Sequence, residues 1–407
     1  MDKKRIIFGI IFLVISGLLA FLLYRIFFAE PKPIIIPEEI ERELAPGEFP
    51  PVTQVDRERA IARRAEELPP AKAVAPRGIA PAPKEAIPRV KTLTNELISN
   101  PGIQTGNMQF YNESDGKFYA VDANGNVQKL SDEVFFNVET VAWSPTKNEA
   151  ILEYPDGANI YYNFDTKKQV TLPTHWEEFS FARQGDKVAA KSIGLSEENR
   201  WLIATNPEGN QVRLLEPLGN NADRVDVNWS PNRQVVALSR TGNPLGAYRQ
   251  EIILIGQNKE NFKSTVVEGR GLVSQWSPTG RNLLYSVYNN RNEFKPELWV
   301  VNANPGSIGQ NRRLLNITTW ADKCAFSDER YIYCGVPVQL QKGAGFAPEI
   351  ADNIPDNLVK IDTQTGIQVP LTLEQKDHVV DSMFINKDEG KLFFTDKNKS
   401  GLFEVAI

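Results

Sequence analysis

Few side chains in this sequence are spaced for chemistry. His175 and His378 are its only histidines, and Cys324 and Cys334 its only cysteines. Each histidine suits a loop or strand-edge position better than the role of a general base. Two histidines and two cysteines that pair with each other do not make a standard structural zinc site. Nucleophile elbows of the Gly-x-Ser-x-Gly type and phosphate-binding glycine loops are missing. Asp122-Ala123-Asn124-Gly125-Asn126 looks like part of a calcium loop, but its glycine is misplaced and no glutamate closes it. Asn-Gly is the strongest short hairpin signal, so a turn is expected there and, similarly, at Asp115-Gly116. Carboxylates are plentiful, and a pair of them is the one catalytic arrangement that the residues leave open. The expectation is no cofactor, no metal ion and no nameable catalytic residue.

The elements that would position a site are easier to read. Val141-Ala142-Trp143-Ser144-Pro145 returns as Val227-Asn228-Trp229-Ser230-Pro231 and as Ser274-Gln275-Trp276-Ser277-Pro278. A polar turn and an apolar run of strand type follow each copy, then a third run and a short fourth one, such as Val127-Gln128-Lys129-Leu130 or Val212-Arg213-Leu214-Leu215. Two strands joined by a polar turn make a hairpin. Four strands recurring every ~40–60 residues is the spacing of propeller blades. Degenerate copies around Phe181, Phe326 and Phe384 fill the gaps, with an aromatic residue at the anchor position.

Val90-Lys91-Thr92-Leu93-Thr94 has the pattern of a fourth strand but precedes the first blade, while the last copy ends at its third strand, 401–407. Pairing the two removes the open edges that chain ends leave. The fold expected is all-β: a propeller over 90–407 with seven four-stranded blades, closed by an N-terminal strand joining the last blade. Six blades remain the alternative, because the first innermost strand contains Pro101 and Gly102. Trp143, Phe181, Trp229, Trp276, Phe326 and Phe384 are expected to be packing anchors between blades, since each copy must bury a face against its neighbour.

The Trp-Ser-Pro unit resembles the TolB-type, WD-repeat-like propeller repeat, whose usual form is Trp-Ser-Pro-Asp-Gly; Ser277-Pro278-Thr279-Gly280 comes closest here. The resemblance covers about 90–407 and implies a membrane-anchored bacterial type of propeller. It is specific for fold and supplies no catalytic residues.

Residues 1–5 carry positive charge, and an almost unbroken apolar run over 6–28 follows. At 1.5 Å per residue, roughly 23 residues are long enough to span a bilayer core. The basic residues in front predict a cytoplasmic amino terminus and an extracytoplasmic remainder. A cleaved signal peptide is the rival, but its apolar part is shorter, about 7–15 residues, and ends in small residues; here the run ends Phe27-Phe28-Ala29. The proline-rich, mixed-charge segment 29–89 cannot bury enough apolar surface to order itself and reads as a disordered stalk. Net charge is −5, with Lys and Arg scattered, which argues against a nucleic-acid partner.

A hairpin turn centred on Glu329 sets Cys324 opposite Cys334, within reach of a disulfide, which an oxidising compartment permits. The longest irregular connections are 194–200, 241–249, 289–296 and 336–355. The last contains Gly343-Ala344-Gly345-Phe346, so Phe346 is the candidate partner contact. The function expected is a single-pass membrane protein presenting a propeller outside the cytoplasm, as a platform for a protein or envelope partner. The alternative is a propeller enzyme of lyase or glycosidase type with carboxylates at the channel mouth.

Overall fold

The computed structural model describes residues 72–73 and 88–407, except 105–106, 123–124, 259, 261 and 387–389. The expected membrane span 6–28 and nearly all of the stalk lie outside the described residues. Among those, no helix is long and apolar enough to cross a membrane.

The described chain is a seven-bladed β-propeller of four-stranded antiparallel sheets. The innermost strands of blades one to seven are Ile98–Gln104, Thr140–Trp143, Trp176–Phe181, Val225–Val227, Arg270–Trp276, Cys324–Phe326 and Val380–Asn386. In blades one to six, three further strands follow in sequence order towards the outside. The seventh sheet takes Lys391–Asp396 and Leu402–Ala406 and has Lys91–Thr94 as its outer strand, with Lys91 opposite Glu404 and Thr92 opposite Phe403. Within the segment expected to be a stalk, Lys72–Ala73 pairs in parallel with Arg313–Leu314, the outer strand of blade five.

The blades meet through apolar seams. Trp143 joins the cluster formed by Tyr111 and Phe118 of blade one with Leu152 and Tyr162 of blade two. Its indole Nε1 donates to the Asn100 carbonyl, 2.7 Å away in the innermost strand of blade one. Trp276 repeats the bond to the Asn228 carbonyl of blade four, at 3.1 Å. Trp229 is tied instead through its backbone N–H to Ser180 Oγ of blade three, at 2.9 Å. Phe181 lies in the seam between blades two and three, and Phe326 packs against that between five and six. Phe384 departs from the pattern. It packs on the opposite side, against the cluster of Met108 and Phe110 in blade one, while Ile385, opposite Leu392, packs into the seam with blade six. Side chains alternate along a strand, so a slip of one residue exchanges the two faces.

Gly102 explains the irregular first innermost strand. A Cβ there would lie 2.3 Å from Trp143 Cδ1, so the seam needs a residue without one. Each serine of the repeat locks its own turn: the backbone N–H groups of Ser144, Ser230 and Ser277 donate to Glu149, Val235 and Asn282 at 2.8–3.0 Å. Neighbouring turns also hold one another. Glu329 of blade six accepts from Ser277 Oγ at 2.8 Å and from the Thr279 N–H at 2.7 Å, both in blade five.

A disulfide joins Cys324 and Cys334, whose Cα atoms are 4.0 Å apart, in the register read from the hairpin. Replacing both cysteines by serine should cost about 2–3 kcal/mol in chemical denaturation. Unfolded, unreduced protein should offer no thiol to an alkylating reagent, and two alkylated thiols would refute the bond. Gly102→Ala should destabilise by about 1–3 kcal/mol through overpacking. In a Trp143→Ala background the same change should cost almost nothing, because the colliding ring is gone.

Candidate functional site

Antiparallel four-stranded blades sort their connections by end. Turns between strands one and two, and between three and four, lie at one end; strand-two-to-three connections and the links between blades lie at the other. The Trp-Ser-Pro turns occupy the first end. The four connections singled out in the sequence, 194–199, 240–249, 289–295 and 338–355, run from strand two to strand three of blades three to six. Comparable lengths occur at 130–139 and 315–323 between blades, and at 257–264 and 303–312 at the turn end. The four therefore share the second end, where the strand-two-to-three turns of blades seven, one and two are short. Sequence inspection found these connections individually but not their common placement, which follows from counting strands.

The most exposed large apolar side chains stand at the second end too. Among the described residues, the large hydrophobics more than half exposed are Leu195, Phe136, Phe346 and Val338. Each lies on a connection of the elaborated end. Phe346 is 60% exposed yet fixed in place: its ring packs edge-on against Tyr288 and Phe294, with centroids 5.9 and 5.8 Å away. The Gly343 and Gly345 N–H groups donate to the carbonyls of Glu293 and Phe294 at 2.9 and 2.8 Å. A Cβ on Gly345 would lie 2.4 Å from Tyr288 Cβ, so this glycine seats the loop.

Beside that loop lies a cleft of about 280 Å³, lined by the elaborated ends of blades five, six and seven. Leu272, Val273, Trp320 and Ala351 form its apolar wall, and Asp322, Asp352, Asp381, Lys323 and Lys397 its charges. The innermost strands of blades five and seven break register between Arg270 and Val273 and between Val380 and Met383. Such bulges re-aim side chains, and these two carry Leu272 and Asp381. Lys323 is held by Asp356 at 2.7 Å and Lys397 by Asp352 at 2.6 Å. The protein walls around Asp322 push its carboxyl pKa up despite its contact with solvent; Lys323 draws it down and Asp381 adds to the rise.

Across the ring, blades two to four bring together Glu153, Glu178, Lys191, Asp226 and Arg240. Glu153 accepts from the Glu178 N–H at 3.0 Å, Lys191 binds Glu178 and Arg240 pairs with Asp226 at 3.1 Å. The Glu153 carboxyl is pushed up to about 6: burial is the largest cause, the Glu178 and Phe179 N–H groups oppose it, and the charges of Glu178 and Glu177 reinforce it.

The remaining candidates resolve into structure. His378 is buried, with Nδ1 2.9 Å from Asp396 Oδ2 and its ring against Phe394 and Phe403. At the calcium-like segment, Asp122 Oδ1 accepts from the Asn126 N–H at 2.8 Å, and the Gly125 N–H reaches the Asp122 carbonyl at 2.9 Å, closing a turn. Among the described residues no group of three or more histidine, cysteine or acidic side chains is placed to hold a metal ion.

No protein-family model matches the sequence, and no curated protein matches it. Solved structures do match. An oligogalacturonate lyase in complex with manganese is similar at a TM-score of 0.53 and 14% identity, over 78% of this chain and 93% of that one. The β-propeller domain of Cps50 (Swd1) from Myceliophteria thermophila gives 0.52 and 12%, over 78% and 98%. TolB from Acinetobacter baumannii is similar at 0.41 and 12%, over 69% and 65%. The chain spans 34% of the length of the tricorn protease, to which it is similar at 0.49 and 11% over 80% of its own length. At these identities the likeness is one of fold.

The titration of Glu153 gives a test of the channel-mouth electrostatics. A folded pKa above the unfolded ~4.3 contributes stability fully present below ~4.3, which is lost as pH rises through about 6. Glu153→Gln keeps the acceptor oxygen and stays neutral. It should be more stable than the parent by about 1 kcal/mol at pH 8, allowing for solvent screening, and indistinguishable from it at pH 4. Equal melting temperatures at pH 8 would refute the shift.

Proposed function

We propose that this protein is a binding platform, tethered to a membrane by its segment 6–28 with the propeller outside the cytoplasm, whose elaborated end seats a protein partner. One observation carries the reading: Leu195, Phe136, Phe346 and Val338 all stand at that end. Single exposed apolar residues are ordinary; their concentration at one end of a soluble domain marks a contact face. They sit on connections belonging to blades one to two, three and six, so a partner touching all of them spans the ring, as an interface of about 800 Å² per partner would. Acidic side chains outnumber basic ones on the connections at this end, which disfavours an anionic lipid surface and favours a basic protein. The apolar run of the amino end supports the tether, and the Cys324–Cys334 disulfide suits an oxidising compartment.

A second reading, a propeller enzyme, has its own observation in Asp322 and Asp381 at one cleft. Under it, these carboxylates do acid and base work on a polymer at the channel mouth, and Asp322→Asn or Asp381→Asn abolishes turnover without loss of binding.

Position-dependent crosslinking in intact cells tests the platform. A photoreactive residue replacing Leu195 or Phe346 should give one common adduct, and one replacing Lys147 or Arg281 at the turn end should give none. Leu195→Ser or Phe346→Ser should weaken the complex about tenfold or more. Equal adducts from both ends would sink the reading.

A further inference from the structure

The cleft of blades five to seven has a composition that specifies what enters it. Its volume of about 280 Å³ falls just below the ~300–1,000 Å³ typical of pockets that enclose a whole small molecule. It suits one long side chain. The wall of Leu272, Val273, Trp320 and Ala351 can cover a run of methylenes, as apolar surfaces do for lysine and arginine stems.

The charges do not balance. Lys323 is bound by Asp356, and Lys397 by Asp352. Among the described residues no ion pair within 4 Å forms on Asp322 or Asp381; Thr395 Oγ1 stands 3.5 Å from Asp381 Oδ2, and Lys397, paired with Asp352, lies within electrostatic reach of both. Burial is the main cause that raises the Asp322 pKa, Lys323 opposes it and the Asp381 charge adds to it, so the two carboxylates repel each other. A guest that brings one positive charge relieves that repulsion, and an anion adds to it. With only two uncommitted carboxylates, the site is short of the oxygen ligands that calcium or magnesium takes.

The backbone is built for the cleft. Both register breaks at its edge, in blades five and seven, fall on residues that line it. Loop 338–355 is held over it from two sides: Leu340, Ala344 and Ala351 pack with Trp320, and the Asp352 carbonyl accepts from Asn398 Nδ2 at 2.7 Å. The same loop carries Phe346, so the slot adjoins a fixed apolar anchor.

We infer that this cleft receives the arginine or lysine side chain of an extended, basic segment of the protein partner, its stem along Trp320 and Leu272 and its cationic head between Asp322 and Asp381. The inference rests on the platform reading and deepens it by naming the partner's chemistry. The acid excess of this end lies on the connections of blades one to three and charges around the cleft are mixed, so the pull on such a segment comes from Asp322 and Asp381 themselves.

The probe is the tripeptide acetyl-Leu-Arg-Leu-amide, titrated into the full-length protein in detergent micelles, with the same peptide carrying citrulline in place of arginine as the neutral control. The arginine peptide should bind, weakening with added salt, and the citrulline peptide at least about tenfold more weakly. Asp322→Asn and Asp381→Asn should each weaken the arginine peptide about five- to tenfold. Lys397→Met, which removes a competing cation, should tighten it severalfold, an effect of opposite sign that damage to the fold would not produce. Arg281→Ala, at the Trp-Ser-Pro turn end, should leave the peptide unaffected. Equal binding of the citrulline peptide, or unchanged affinity in both asparagine variants, overturns the slot. If the slot holds while crosslinking proves independent of Leu195 and Phe346, the platform reading fails alone. If crosslinking depends on those tips but arginine and citrulline bind alike, the slot fails alone.

Discussion

Each blade has an apolar face that only the next blade can cover, and everything else in the molecule depends on that requirement. The seam between blades one and two shows how it is met. Trp143 buries its ring against Phe118 and Phe164, at centroid distances of 5.5 and 5.8 Å, and satisfies its one donor on a main-chain carbonyl of the neighbour. An indole suits the task because it joins a large apolar area to a single polar atom that usually finds a partner when buried, as in Trp143 and Trp276 though not in Trp229. The final seam needs no special device, because the seventh sheet combines the last three strands of the chain with Lys91–Thr94 from before the first blade.

The same requirement decides where variation is tolerated. At the end made of Trp-Ser-Pro turns, the serines are fully buried, their N–H groups close the turns, and adjacent turns bond to one another through Glu329, Asn232 and Thr146. An insertion into one of these Trp-Ser-Pro turns disturbs two blades at once. At the opposite end the strand-two-to-three connections leave the sheet after its seam contacts are complete, so they can lengthen without opening the ring. Blades three to six have used that freedom, and the four most exposed large apolar side chains stand on that side.

That division sets what was legible in the sequence. The seams were visible because a seam repeats: the same residue type recurs at the same place in every unit. Gly102 was visible only as an irregularity, since its meaning depends on a ring more than forty residues away. Phe384 packs between blades as expected, but in the seam with blade one, because register rather than aromatic character sets the face, and Ile385 holds the place equivalent to Trp143. The disulfide was readable because both cysteines sit in one hairpin, where register alone fixes the pairing. Asp322 and Asp381 were not readable at all. They belong to a link between blades and to an innermost strand, and no local pattern joins them; only the packing of consecutive blades brings them to one cleft.

Phe346 shows why a fixed loop matters more than an exposed one. A mobile loop bearing a phenylalanine pays for its ordering when it binds, at roughly 0.5–1.5 kcal/mol per immobilised side chain and more for the backbone. Here much of that cost is met in the free protein. Gly343 and Gly345 pin the loop to the carbonyls of blade five, Tyr288 and Phe294 hold the ring, and Lys397 holds Asp352 from blade seven. Three blades thus share in positioning one exposed ring and one acidic cleft. A contact assembled in this way depends on the relative placement of neighbouring blades, and therefore on the seams, so the tryptophans that bind nothing outside the molecule still determine the geometry of what does.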